Sequence, residues 1–391
     1  MKGRLPLLLL VVLLATLSCE REELNIKYEV YLPGEYEVIQ QYLNLPRYPL
    51  KYEDKFPSFS ENTDPILFHD RNMAALGRVL FYDENLSEDR TISCASCHKQ
   101  ELAFADDKAL SEGVSNRVTA RNSIALGSVF SFKQHYGGRD RIAFFWDNRA
   151  SSVKSQTIET FSNPEEMNIS MREVVERVKE QPYYDPLFRA AFGSDHKSSD
   201  KVLQAITVFI NSMGSFNSKY DQVLEGYFKE EKRLPTDMDK SLAGLALDEN
   251  IGRNLYNKNC ASCHGRSEKD SGRPNFAASN NGLYSFYEDT GIGALSNRSR
   301  DDGKFKVPSL RNVVLTAPYM HDGSLATLDD VLEHYSSGIK NYRNLDPILK
   351  TGSSPKRMNF TSNDKKALTA FLNTLTDESF LKAEKYSDPF K

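Results

Sequence analysis

The 391-residue sequence predicts a mainly α protein of two helical domains, and three observations carry that prediction. Apolar residues recur three and four apart in several segments, strand signals are confined to one short stretch, and C-x-x-C-H occurs twice, 166 residues apart, at Cys94–His98 and Cys260–His264. Motifs so distant belong to separate folding units. A chain of this length can bury two cores.

Along the chain, residues 1–19 read as an export signal: Lys2 and Arg4 precede an apolar run from Leu5 to Leu14 that is shorter than the roughly 20 residues a spanning helix needs. The ending "TLSC" is similar to a bacterial lipoprotein cleavage box, which would make Cys19 a lipidated first residue. Thr16 stands where such boxes usually carry Leu, so soluble export after ordinary signal cleavage is the other reading. Both place the mature protein in the periplasm, touching a membrane only through a lipid anchor. Residues 20–50 are an N-terminal extension, 51–235 the expected first haem domain and 236–391 the second.

Each motif has a helical approach, Met73, Leu76 and Leu80 before the first and Leu247, Ile251 and Leu255 before the second. "KQHYGGRDRIAFFW" could turn at Gly137-Gly138 as a hairpin. A Ser170 to Glu173 capping box opens a helix that stops before Pro182, and Val202, Ile206, Phe209 and Met213 stripe the next. Polar residues 228–241 read as a linker, and 265–306 as a long loop around the second cofactor. Leu368, Phe371, Leu372 and Leu375 form the closing helix behind a Thr/Ser/Asn/Asp cluster. Helices leading into C-x-x-C-H and closing the chain predict cytochrome c-like domains.

The two thiols of each motif, Cys94 with Cys97 and Cys260 with Cys263, suit addition to haem vinyl groups, with His98 and His264 as proximal iron ligands. A disulfide, a redox pair or half a zinc site would be indifferent to the trailing histidine. Apart from Cys19 no cysteine is left over, so the expected cofactors are two covalently bound haem c groups.

Several stretches, "GRVLFYDENLSEDRTISCASCH", Arg121-Asn122, "FFWDNRA", "NPEEM" and "FKVPSLRNVVLTAPYMHDGSLATLDDVLEHY", together resemble the bacterial dihaem cytochrome c peroxidases and their relative MauG, over about residues 66–378. The resemblance implies that peroxide meets the haem on His98, with Gln156 and Glu166 as distal groups. A carboxylate whose burial raises its pKa suits proton transfer between the two peroxide oxygens. Glu165 is expected to face solvent. The reductively activated members carry a blocking histidine eight residues before the Asn of "RN"; here that position is Val114, which implies an open first haem.

The haem on His264 would relay electrons. Its sixth ligand by register is Tyr335, which shares a helical face with Leu328, Val331 and Leu332 behind Thr327, while His334 points elsewhere. A phenolate would lower the reduction potential; nearby Met320 is the alternative. The resemblance also implies one Ca2+ at Asn122, Thr316 and Pro318, and a homodimer. Trp146, the single tryptophan, matches the residue between the two haems.

Net charge is −4 and charges of both signs are mixed, which does not favour a nucleic-acid partner. The expected function is a periplasmic peroxidase reducing H2O2 to water with electrons from a small cytochrome c or cupredoxin. A MauG-like oxidation of a partner protein's side chains is the first alternative, and a dihaem electron carrier the second.

Overall fold

The computed structural model describes residues 30–52, 70–127, 129, 133–136, 139–235, 241–265 and 278–391. Residues 1–19, read above as an expected export signal, and Gly137-Gly138 lie outside them. The described residues are mainly helical and include three two-stranded pairings, among them the expected hairpin of Lys133–Tyr136 against Arg139–Ile142.

Each half is built on one crossed helix pair. In the first, Arg71–Tyr82 packs on Ser199–Asn211; in the second, Leu247–Asn259 packs on Ser362–Asn373. Both crossings are made at a glycine. A Cβ on Gly77 would lie 2.0 Å from the Ala205 carbonyl oxygen, and one on Gly252 would lie 1.9 Å from that of Ala367. The next contact is again equivalent, the Cβ of Phe209 or of Phe371, four residues on. The two domains thus repeat one backbone contact that only glycine permits.

The caps follow the sequence. Asp70 accepts from the amides of Asn72 and Met73, Ser170 and Glu173 form their capping box before Met171–Glu180, and Thr361 pairs with Asp364. Leu76, Leu80, Val202, Ile206 and Phe209 enter the first core; Leu368, Phe371, Leu372 and Leu375 enter the second. The approach to the second motif differs. Leu247 is 75% exposed and Ile251 42%, while Asn250, Gly252, Arg253 and Tyr256 are buried. Close packing at Gly252 turns its face inward, so Leu247 and Ile251 are left outside while Leu255 is half-buried against the second core.

Two expected loops are also more ordered than composition suggests. The helix Lys219–Glu231 runs into the polar linker and lends Tyr220 and Leu224 to the second core. Within it Asp221, buried, is bound in two places by the buried Arg311 guanidinium at 2.7 and 2.8 Å. The segment 278–306 contains a short helix, Ile292–Ser296, and pairs Ala278–Ser279 with Phe305–Lys306.

The C-terminus returns to the first domain. Phe380 and Tyr386 join its core, the Tyr82 hydroxyl donates to the Tyr386 carbonyl at 2.7 Å, and Leu43 bridges Phe390. The second domain is thereby strapped to the first. No helix among the described residues is long and apolar enough to cross a membrane.

Candidate active site

Each C-x-x-C-H motif forms one wall of a cavity. The first cavity, about 520 Å3, is lined by Cys94, Cys97 and His98; the second, about 210 Å3, by Cys260, Cys263 and His264. All four thiols are free. Each imidazole is oriented from behind by a backbone carbonyl, His98 Nδ1 donating to Phe104 O at 2.8 Å and His264 Nδ1 to Pro308 O at 3.0 Å. A carbonyl can only accept, so Nδ1 carries the proton and Nε2 is left with a lone pair for a metal. Ala103 and Phe104 both adopt left-handed backbone (φ 54° and 62°), in the turn that brings the Phe104 carbonyl to His98. Free thiol pairs, pre-oriented imidazoles and a cavity at each motif fit haem c.

The first cavity also carries Gln156, Thr160, Asn163 and Glu166. The helix Val153–Ser162, capped by Ser152, places Gln156 and Thr160 one turn apart, and Gln156 Nε2 donates to Thr160 Oγ1 at 3.0 Å. The tight turn after it brings Asn163 Nδ2 to Glu166 Oε1 at 2.7 Å. Burial pushes the Glu166 carboxyl above its ordinary value, against the opposing hydrogen bonds of Asn163 and Thr160. Glu165 is exposed. Thr160 and Asn163 were not singled out by sequence, although Asn163 opens the "NPEEM" stretch.

Val114 is buried, and its amide donates to the Glu166 carbonyl at 3.0 Å. Its loop is clamped on both sides. A Cβ on Gly113 would lie 2.1 Å from the Glu165 carbonyl oxygen, and Arg117 Nη1 donates to the Pro164 carbonyl at 2.7 Å.

In the second cavity Leu328, Val331, Leu332 and Tyr335 all line the wall, as does Met320. The α-helix Leu328–Glu333 does not carry Tyr335 itself; the tyrosine lies in the π-turn His334–Gly338 that follows. Such widened turns are frequent at functional sites. His334 is buried and bonded through Nε2 to the Asn281 carbonyl at 3.1 Å. The Asn281 side chain reaches both ligand candidates, donating to Met320 Sδ at 3.3 Å and bonding the Tyr335 hydroxyl. Sequence gave no signal for Asn281, which lies in a stretch read as loop.

Trp146 lines both cavities, together with Asn122, Ser123 and Ile124. It sits in a loop closed by the Phe144–Ala150 bridge, with Phe145 and Asn148 left-handed. Its indole N–H donates to the Asn122 carbonyl at 2.9 Å, and its own carbonyl accepts from the Lys306 amide at 2.6 Å. Asn122, Thr316 and Pro318 share the wall of the second cavity. Among the described residues no group of three or more His, Cys, Asp or Glu could hold a metal ion.

Comparison with known proteins agrees with this arrangement. The family model of di-haem cytochrome c peroxidase matches residues 71–229, and that of cytochrome c matches 250–376. The methylamine utilization protein MauG of Methylorubrum extorquens is 31% identical over 324 residues, 78% of this chain and 78% of that protein. The cytochrome c551 peroxidase of Nitrosomonas europaea is 31% identical over 314 residues, 78% of this chain and 80% of its own. Among solved structures, a MauG-like protein associated with microbial copper homeostasis superposes with a TM-score of 0.68 at 31% identity, covering 88% of this chain and 98% of its own. The diheme peroxidase BthA of Burkholderia thailandensis shares the fold, with a TM-score of 0.64 at 22% identity, over 89% of this chain and 98% of its own. The chain belongs to the di-haem cytochrome c peroxidase family, of which MauG is a member.

Proposed function

We propose that the protein is an exported dihaem peroxidase that reduces H2O2 to water, with Glu166 and Gln156 as its distal catalytic residues. One observation carries the reading: a carboxylate raised by burial lines the same cavity as His98, held there by Asn163. When bound, the haem on His98 supplies the iron at which the O–O bond breaks, and the haem on His264 supplies an electron store.

The residues then divide the work. Glu166 in its ionised form would take the proton from the near peroxide oxygen and deliver it to the far one, which leaves as water; the other oxygen becomes the second water with two protons from solvent and the two electrons the donor supplies. Gln156, tied to Thr160, orients the peroxide by hydrogen bonding. Trp146, on the wall of both cavities, bridges them for electrons. Val114, in place of a ligating histidine, leaves the first site open, and the clamped loop keeps it so without prior reduction. Tyr335, on the wall of the second cavity with Leu328, Val331 and Leu332, would hold the second haem iron in this reading, with Met320 as the alternative. The two haem domains divide near residue 235, a small periplasmic cytochrome c or cupredoxin is the donor, and Cys19 is the candidate lipid anchor. Asn122, Thr316 and Pro318 offer neutral oxygens suited to Ca2+, to be checked by metal analysis before and after chelation.

The test is turnover of the dihaem protein with peroxide and a reduced donor. Fast donor oxidation that collapses in Glu166→Gln supports the reading. A second reading, oxidation of a partner protein's side chains, is favoured by Val114 and Tyr335 together. It predicts a peroxide-oxidised state of the protein that persists without fast donor oxidation.

A further inference from the structure

The single tryptophan is held from both domains, and the groups that hold it form one connected ion cluster. Arg121, next to Asn122, places Nη1 2.6 Å from Asp147 Oδ2, next to Trp146. Its Nε and Nη2 grip Asp289 of the second domain with both carboxylate oxygens, at 2.7 and 2.8 Å. This fork is the strongest geometry an Arg–carboxylate pair adopts; Arg121 is 19% exposed and Asp147 7%, while Asp289 is half-buried at 35%. Asp289 is further fixed by the Gly291 amide at 2.9 Å. Burial alone would raise its carboxyl, but Arg121 holds it below the ordinary range.

The surroundings continue the connection. The Arg121 guanidinium lies 5.7 Å from the Phe305 ring, which stacks on His321 at 3.7 Å, and the His321 carbonyl accepts from the Asn122 amide at 2.8 Å. Trp146 packs against the cluster of Leu283, Tyr287 and Phe305, all from the second domain. Asp289 itself lines the first cavity, so that cavity is completed by a residue of the other domain.

We infer that Arg121 and Asp289 form an interdomain clasp that positions Trp146 between the two haem cavities, acting through Asp147 and Asn122 on the indole. The inference rests on the proposed reading only in that two haems exchange electrons across Trp146. Both act on the indole through Asp147 and Asn122, as positioning residues.

The test uses the full dihaem protein. The second haem is reduced by a short pulse, the rate of electron passage to the first is followed optically, and both haem potentials are measured so that driving force is known. Asp289→Ala is expected to load both haems with parental spectra and potentials while the interhaem rate falls on the order of tenfold, since a small misplacement of a bridging group is costly. Asp289→Asn, which keeps the acceptor but not the charge, falls between. Should Asp289→Ala fail to load haem, Arg121→Lys keeps the charge but loses the fork, and is expected to slow transfer likewise. A parental rate in the variant that loads, or slowing explained wholly by shifted potentials, overturns the clasp. Peroxide turnover of the parent is measured alongside. Its absence with normal interhaem transfer would remove the peroxidase reading and leave the clasp standing.

Discussion

The two haem domains share a scaffold and differ in one wall. Each crosses a helix pair at a glycine, and each orients its histidine through Nδ1 to a backbone carbonyl. Beyond that the likeness stops. The first cavity is the larger and carries Gln156, Thr160, Asn163 and a raised carboxylate; the second presents Leu328, Val331, Leu332, Tyr335 and Met320. A repeated fold therefore secures cofactor geometry twice, and the residues lining the rest of each cavity decide what the cofactor is asked to do.

The comparison is broken most severely at Glu166. Glu166→Gln is expected to lower the peroxide rate by about 10²–10⁴-fold, the usual size of a lost general acid-base group, and to leave the second haem's spectrum unchanged. Stopped-flow mixing with H2O2 checks it. Next in size is the buried Asp221–Arg311 ion pair, which ties the helix Lys219–Glu231 to the second core. Asp221→Ala removes the carboxylate that grips the buried Arg311 guanidinium and should destabilise that core by about 3–5 kcal/mol, read by denaturant unfolding followed at the second haem.

The glycine crossings test the likeness itself. Gly77→Ala and Gly252→Ala should each cost about 1–3 kcal/mol or more through overpacking, each chiefly in its own domain, as separate haem signals in thermal unfolding would show. Equal insensitivity at both would mean the crossings are looser than their geometry. Tyr335→Phe should alter the absorption of the second haem alone; an unchanged spectrum would hand the ligand to Met320.

The smallest effect is a pH dependence of stability. A carboxyl raised in the folded state binds more protons folded than unfolded, so its contribution falls as pH rises from the ordinary carboxylate range through the raised value. Glu166→Gln removes that loss. The variant's melting temperature should gain on the parent's as pH rises across this window, and the pH inflection in the peroxide rate should vanish with it.

Much of this was legible in the sequence because it rests on local chemistry. C-x-x-C-H, the Ser170 and Thr361 caps, and the stripes Val202 to Met213 and Leu368 to Leu375 are each set by residues a few positions apart. The spacing of Leu247, Ile251 and Leu255 identified the helix Leu247–Asn259 but not its buried face, because that face is set by backbone contact at Gly252, and periodicity does not register a glycine that must lie against a carbonyl. Tyr335 landed in its cavity although the helix gives way to a π-turn before it, since the extra backbone is not encoded in spacing. Asn281, Asp289 and the return of Phe380 and Tyr386 to the first domain are long-range meetings, which one sequence does not reveal.

A peroxidatic role for the first haem requires its cavity to be open and armed in the oxidised protein. Electron paramagnetic resonance of the as-isolated ferric form, followed by addition of H2O2, measures this directly. The account predicts one high-spin haem that is lost on reaction with peroxide beside one low-spin haem. Two low-spin haems and no reaction with peroxide would contradict it.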